Sequence, residues 1–224
     1  MGDFSRLVDE AWPAPYAEHA GGWKLRFADG VTKRANSALP LDAPGDLAMA
    51  EQFYANRGLP AVFSLDGSSS LDRELDARGY TVVDPTLVLT APLAPDVTGP
   101  VTIEDHPSPD WMRVWTSVEG NPAATPILTG VAADYALLDG MAVGRGVPQG
   151  DWYGIYCMAV LPEFRRRGLA GRVLRELLRR GHESGARQAY LAVVESNTAA
   201  RALYERAGFT VAGRYHYRVS ARAF

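Results

Sequence analysis

The sequence has little of several features on which other classes of protein depend. Its single cysteine, Cys157, excludes an intramolecular disulfide and a cysteine-based zinc cluster. No apolar run approaches the roughly 20 residues that span a bilayer, so we expect no membrane association. The first ten residues lack the apolar segment of a secretory signal. We therefore expect a cytoplasmic protein.

The chain also lacks a large excess of charge of either sign. Its formal net charge is −3, so the composition predicts neither nucleic acid nor an anionic membrane as a partner. A hydrophobic fraction of 47% allows a normal core without disulfides or metals. The length of 224 residues allows one domain or two small ones, and we expect a monomer or a homodimer.

Apolar periodicity predicts an α/β protein with a mixed, mostly antiparallel sheet flanked by helices. At its centre, residues 152–195 form a strand–helix–strand unit with parallel strands. Prolines and glycines over 91–100 mark a linker between domains 1–95 and 96–224. The predicted elements are a strand pair over 22–38, a helix over 46–57, a strand over 61–65, a helix over 71–78, paired strands near 80–90, a strand from 101, a helix over 110–118, a helix around 130–138, a strand over 152–161, a helix over 168–184, a strand over 189–195, a helix over 197–207, and one or two strands over 209–219.

The two halves of the chain resemble each other over a short segment. The sequence around Gly79, with Tyr-Thr-Val after it, is similar to the sequence around Gly208, with Phe-Thr-Val after it. Aligning these glycines places Leu75 opposite Tyr204. The first half has no counterpart of the arginine–glycine turn at 165–170, which indicates a degenerate copy.

That turn, Arg165-x-x-Gly168-x-Ala170, lies between a buried strand and an amphipathic helix. The amide N–H groups of about 166–171 are the unsatisfied donors of the first helical turn, and together they can bind a phosphate group. The arginine side chains add positive charge. The alternative is that Gly168 only starts the helix and the arginines are solvated.

A second feature joins Asn197, where a strand ends and a helix begins, to Tyr204 on the same face two turns later. Each residue has an ordinary structural explanation. Asn197 can cap the helix, and a tyrosine among alanines and leucine is typical of a core. Cys157 is expected to be a small core residue.

Together, the two features resemble the GNAT superfamily of acetyl-CoA-dependent N-acetyltransferases. Agreement is strong over about 150–217 and weaker back to about 101. The residues that match the family pattern are Arg165, Gly168 and Ala170 in the turn, followed by Asn197, Tyr204, Gly208 and Phe209.

The resemblance implies acetyl-CoA as co-substrate and no metal. The pantetheine arm would lie between splayed strands at 153–161 and 189–195, and the pyrophosphate would lie on the turn. The implied coenzyme-binding residues are Met158, Ala159, Val160, Arg165, Arg166, Arg167, Gly168, Leu169, Ala170, Gly171, Asn197 and Tyr204.

The resemblance further implies that Tyr204 is the general acid that protonates the departing thiolate. A phenol with a pKa of about 10 is protonated at neutral pH. Some family members carry a base five residues before the asparagine, where this chain has Ala192. Glu119, Glu195 or a water chain could serve instead, and Glu119 is the catalytic candidate.

Acceptor recognition is expected from the 110–150 region, where Trp111, Trp115 and Glu119 could form an apolar wall with an acidic end. The alternative is that both tryptophans are core residues.

The predicted function is acetyl transfer to a primary amine of a small molecule, peptide or protein. A non-catalytic acyl-CoA-binding or sensor protein is one alternative, and nucleic-acid binding through 165–167 is another.

Overall fold

The computed structural model describes residues 3–41, 45–67, 69–95 and 99–220. The chain forms two compact units that are not continuous in sequence. The N-terminal unit comprises 1–87, 194–196 and 213–224, and the C-terminal unit comprises 88–193 and 197–212. Part of the predicted linker, residues 96–98, lies outside the described residues, and the domain boundary after residue 95 stays a prediction.

The N-terminal unit contains strands of mixed direction in the order β1-β2-β3-β4-β11. The β3–β4 pair is parallel and the other pairs are antiparallel. The elements are α1 (Asp3–Ala11), β1 (Tyr16–Ala20), β2 (Trp23–Phe27), β3 (Ala38–Pro40), α2 (Leu47–Ala55), β4 (Val62–Asp66), α3 (Ser70–Ala77) and the later part of β11 (Thr210–Val219).

The core of this unit forms where α2 and α3 pack on the sheet. The helix predicted over 46–57 is confirmed as α2, and it buries Leu47, Ala50, Phe53 and Tyr54. They pack with side chains of β2 and β4 in one cluster, in which Leu75 of α3 is fully buried. Helix α1 was not predicted from the sequence.

The C-terminal unit contains the strand order β10-β9-β8-β7-β6. Strands β9 and β10 are parallel with α6 between them, and the other pairs are antiparallel, as predicted. The elements are β5 (Thr81–Pro92), which both units share, β6 (Thr102–Glu104), α4 (Pro109–Val118), α5 (Thr125–Leu128), β7 (Asp134–Leu138), β8 (Ala142–Gln149), β9 (Trp152–Val160), α6 (Leu169–Glu183), β10 (Gln188–Val194), α7 (Thr198–Arg206) and the first residues of β11.

Three local predictions were wrong. In the strand pair expected over 22–38, the second strand is not at 31–35, because Thr32 caps a 3₁₀ helix at Lys33–Ala35, and β2 pairs with β3 instead. The helix expected around 130–138 is the strand β7, which pairs with β6 and β8 and is buried along most of its length. When both faces of a short segment are buried, its apolar residues show neither the period of a helix nor that of a strand, so periodicity does not distinguish the two structures. The paired strands near 80–90 are one strand, β5, and Asp84 has a φ of +48° within it.

The internal similarity has a structural counterpart at the ends of α3 and α7. The glycines that follow these helices, Gly79 and Gly208, have φ values of +83° and +85°. In each case the next amide N–H donates over 3.0 Å to the carbonyl five residues earlier, which belongs to Leu75 in α3 and to Tyr204 in α7. Both helices therefore end in the same glycine cap.

We predict that Leu75→Ala lowers the free energy of unfolding by about 2–5 kcal/mol, because it removes a fully buried leucine from the core. Urea denaturation followed by circular dichroism measures the change. The exposed Val82 provides the control, and Val82→Ala should have little effect. Equal losses in the two variants would contradict the core position of Leu75.

Candidate active site

A cleft of about 680 Å³ opens within the C-terminal unit, at the end of β9. Its walls come from the end of α4, the second half of β9, the turn before α6 and one side of α7. The predicted site residues that line it are Glu119, Met158, Ala159, Val160, Arg165, Arg166, Gly168, Leu169, Ala170, Gly171, Asn197 and Tyr204. Arg167 does not line it.

A β-bulge shapes the wall formed by β9. Gly144 of β8 faces two residues of β9, Cys157 and Met158, between regular pairs on either side. Cys157 has a φ of +53°, in the left-handed region. An extra residue of this kind bends its strand and redirects the following side chains. Met158, directly after Cys157, lines the cleft.

The same part of β9 separates from β10. Parallel pairing runs from the Gln188–Trp152 pair to the Leu191–Ile155 pair and ends there. Beyond this point, no strand in the described part of the chain pairs with the edge of β9 that faced β10, so the backbone N–H and C=O groups there require other partners. Residues 158–160 lie in this stretch and line the cleft.

The turn before α6 presents backbone donors. Gly168 is the N-cap of α6 and has a φ of +76°, and Arg166 has a φ of +64°. The first i→i−4 bond runs from the Arg172 N–H to the Gly168 carbonyl. The amides of 169–171 precede this bond and have no acceptor within the helix. They carry the positive end of the helix dipole into the cleft.

Three arginines line the cleft, namely Arg165, Arg166 and Arg206. Nε of Arg165 donates to the Val160 carbonyl over 3.2 Å, which links the turn to the end of β9. Arg206 was not predicted as a site residue. It lies three positions after the cleft-lining Leu203, and this helical spacing was the signal available in the sequence.

The side chain of Arg167 turns away from the cleft. Its guanidinium donates to the Glu163 carbonyl over 3.2 Å and lies 5.3 Å from the centre of the Phe164 ring. Phe164 itself lines the cleft, although the sequence did not predict it. Arg167 therefore packs against Phe164 in this wall and is not itself one of the residues that line the cleft.

Asn197 caps α7 as predicted, because its Oδ1 accepts the Ala200 N–H over 3.1 Å. The helix then turns a face of small side chains to the cleft, which includes Ala199 and Ala200. This face was not predicted from the sequence. The alanine-rich composition of 199–202 was its only signal.

Tyr204 lies on the cleft wall and is 7% exposed. Its ring packs edge-on to Phe209, with 5.9 Å between ring centres. Burial raises the pKa of Tyr204, and the negative charge of Glu119 raises it further. The phenol therefore keeps its proton throughout the neutral range.

Glu119 follows α4 and lines the same cleft. The residue as a whole is exposed, but partial desolvation of its carboxyl group raises its pKa, while the charge of Arg165 acts in the opposite direction. Glu195, the other carboxylate considered, accepts a hydrogen bond from Arg214 over 3.1 Å and is not among the cleft residues.

The tryptophans Trp111 and Trp115 are core residues, with exposed fractions of 0% and 5%. The expectation that their rings form a wall for the acceptor was therefore wrong, and the core alternative is confirmed. The indole N–H of Trp111 donates to the Gly144 carbonyl over 3.1 Å, opposite the bulge.

Within the described part of the chain, His, Cys, Asp and Glu residues form no group of three or more that could hold a metal ion. The helices of the same residues are too short or too polar to cross a membrane.

Solved structures define the fold class. A "GCN5-related N-acetyltransferase from Kribbella flavida" superposes with a TM-score of 0.70 and 17% identity, covering 99% of this chain and 97% of the other. A "tandem GNAT protein from the clavulanic acid biosynthesis pathway" superposes with a TM-score of 0.64 and 14% identity, covering 98% of this chain and 88% of the other. The predicted GNAT-like α/β fold is thus confirmed.

Sequence relatives define the family. The chain is 30% identical to the "uncharacterized N-acetyltransferase YobR" of Bacillus subtilis (strain 168), over 96% of each chain. It is 34% identical to the "probable histone acetyltransferase Rv0428c" of Mycobacterium tuberculosis, over 89% of this chain and 67% of that protein. The family model described as "Probable histone acetyltransferase Rv0428c C-terminal" matches residues 6–218. The chain belongs to this family and is an acyltransferase of the GNAT type.

Proposed function

We propose that the protein transfers an acetyl group directly from acetyl-CoA to a primary amine of a small molecule, peptide or protein. One observation carries the proposal. A protonated phenol, Tyr204, and a carboxyl group, Glu119, line a cleft whose other wall presents the free amides of 169–171. The cleft thus combines groups for proton transfer with donors for an anionic ligand.

The residues of the cleft fit the chemistry of coenzyme A. The amides of 169–171 hold its pyrophosphate, and Arg165 and Arg166 balance the negative charge. The open edge of β9 at 158–160 offers backbone groups to the amides of the pantetheine arm. Asn197 contacts the coenzyme from the start of α7.

Acetyl-CoA supplies an acetyl group activated as a thioester, with a thiolate as leaving group. The Tyr204 hydroxyl donates a proton to the departing sulfur, since its raised pKa keeps it protonated. A backbone N–H within 158–160 stabilises the charge that develops on the carbonyl oxygen.

Glu119 takes a proton from the acceptor amine. A primary ammonium group must lose a proton before it can attack, and a carboxylate with a raised pKa is a better base than an ordinary glutamate. Its negative charge also attracts a cationic acceptor. A relative named as a histone acetyltransferase supports a protein amine as the first acceptor to test.

Gly168→Glu should weaken acetyl-CoA binding at least about tenfold, which corresponds to about 1.4 kcal/mol. The variant places bulk and negative charge beside the amides of 169–171. Isothermal titration calorimetry measures the affinity. Gly168→Ala shares the strain of a side chain at a φ of +76° and serves as the control. Unchanged affinity in Gly168→Glu would refute the phosphate site.

Tyr204→Phe should lower kcat by about 10²-fold or more and leave acetyl-CoA affinity within about twofold. Thiol release with a panel of amines measures turnover. The same change at the exposed Tyr16, Tyr16→Phe, is the control and should not affect kcat. If Tyr204→Phe turns over like wild type across the pH range, Tyr204 is not the acid.

Glu119→Gln should lower kcat at neutral pH by about 10²-fold. It should also remove the fall of kcat at low pH, which is the acidic limb of the profile of kcat against pH. A base works when deprotonated, so wild-type activity falls as the pH drops through the Glu119 pKa. Because that pKa is raised, the fall occurs above the ordinary glutamate value of about 4.3. Glu104→Gln, on β6, is the control. A wild-type profile in Glu119→Gln would exclude the base role.

A further inference from the structure

Gly120 lies directly after Glu119 and against the ring of Trp115. The amide N–H groups of Glu119 and Gly120 both donate to the Trp115 carbonyl, over 3.2 and 3.0 Å. A β-carbon added to Gly120 would lie 2.3–2.6 Å from three atoms of the Trp115 indole. Contacts this short cannot exist, so the backbone or the ring would have to move.

Position 120 requires glycine because the Trp115 indole leaves no room for a β-carbon. Its backbone conformation does not require glycine, since Gly120 is not among the residues with a positive φ. The indole cannot readily yield, since Trp115 is only 5% exposed. A larger residue at position 120 would therefore displace the backbone, and with it Glu119.

The indole of Trp115 is in turn held by the sheet. Its ring centre lies 5.7 Å from that of Trp111, which is fully buried. The Trp111 N–H donates to the Gly144 carbonyl. Gly144 lies opposite the β9 bulge, and a β-carbon there would lie 2.7 Å from the sulfur of the cleft residue Met158. The two indoles thus connect both walls of the cleft.

We propose that the contact between Gly120 and Trp115 positions the Glu119 carboxyl group in the cleft, so that both are positioning residues for proton removal. The inference rests on the proposed role of Glu119 as the base. A displacement of about 1 Å can lower a rate about 10²-fold, so a contact that sets this position has a large effect on turnover.

The test is Gly120→Ala in the full-length protein. We expect kcat to fall about tenfold or more, with KM for acetyl-CoA within about twofold. The acidic limb of the kcat profile should move to lower pH, because a carboxyl group displaced towards solvent loses the burial that raises its pKa. Gly99→Ala is the matched control, since its added carbon meets only the end of the Arg172 side chain at 3.8 Å.

The double variant Gly120→Ala/Trp115→Phe tests the contact itself. A smaller ring makes room for the added methyl group, so we expect it to restore part of kcat and move the acidic limb back. Such non-additivity identifies a direct contact. If Gly120→Ala does not fold, Trp115→Phe alone should lower kcat with the same shift of the limb.

Three outcomes would overturn the inference. These are a folded Gly120→Ala with wild-type kcat and pH profile, a loss of kcat with an unmoved acidic limb, and a double variant that shows no restoration. Glu119→Gln separates the two proposals. If it impairs turnover while Gly120→Ala behaves like Gly99→Ala, the positioning role fails and the base role stands. If Glu119→Gln has no effect, the base role itself fails.

Discussion

The site depends on one constraint, which is that the backbone pairing of β9 with β10 ends at the Leu191–Ile155 pair. Backbone groups past that point must find other partners, and in this unit they line a cleft. The bulge at Cys157 lies just beyond this pair and turns β9 out of register with β8. The turn before α6 follows at the end of the strand, so the cleft-lining backbone of 158–160 leads to the first amides of α6.

The electrostatics of the cleft follow from burial. Tyr204 and Glu119 lie on the same cleft, and desolvation raises the pKa of both. The consequences differ, because a raised pKa keeps a phenol protonated and makes a carboxylate a better base. Arg165 opposes the shift at Glu119. One environment thus prepares an acid and a base for opposite roles in the proposed reaction.

The N-terminal unit retains the helix end that supports Tyr204 and lacks the tyrosine. Helices α3 and α7 end in the same glycine cap with the same hydrogen bond. At the position of Tyr204, α3 carries Leu75, which is fully buried in the core of the N-terminal unit. The two helices therefore share their C-terminal geometry, and the duplicated origin indicated by the sequence stays a prediction.

Local order along the chain was sufficient to predict the parallel β9–α6–β10 unit, the cap at Asn197 and the glycine turn at 168, because each depends on neighbouring residues. The strand β7 and the continuous β5 were mispredicted, since sheet pairing overrode local signals. Contacts between residues distant in sequence depend on the fold. Examples are the hydrogen bond from Trp111 to the Gly144 carbonyl and the effect of the Glu119 charge on the pKa of Tyr204. Neighbouring residues along the chain therefore fix the local motifs, whereas tertiary packing selects the side chains that share the cleft, since burial and distance are properties of the folded chain.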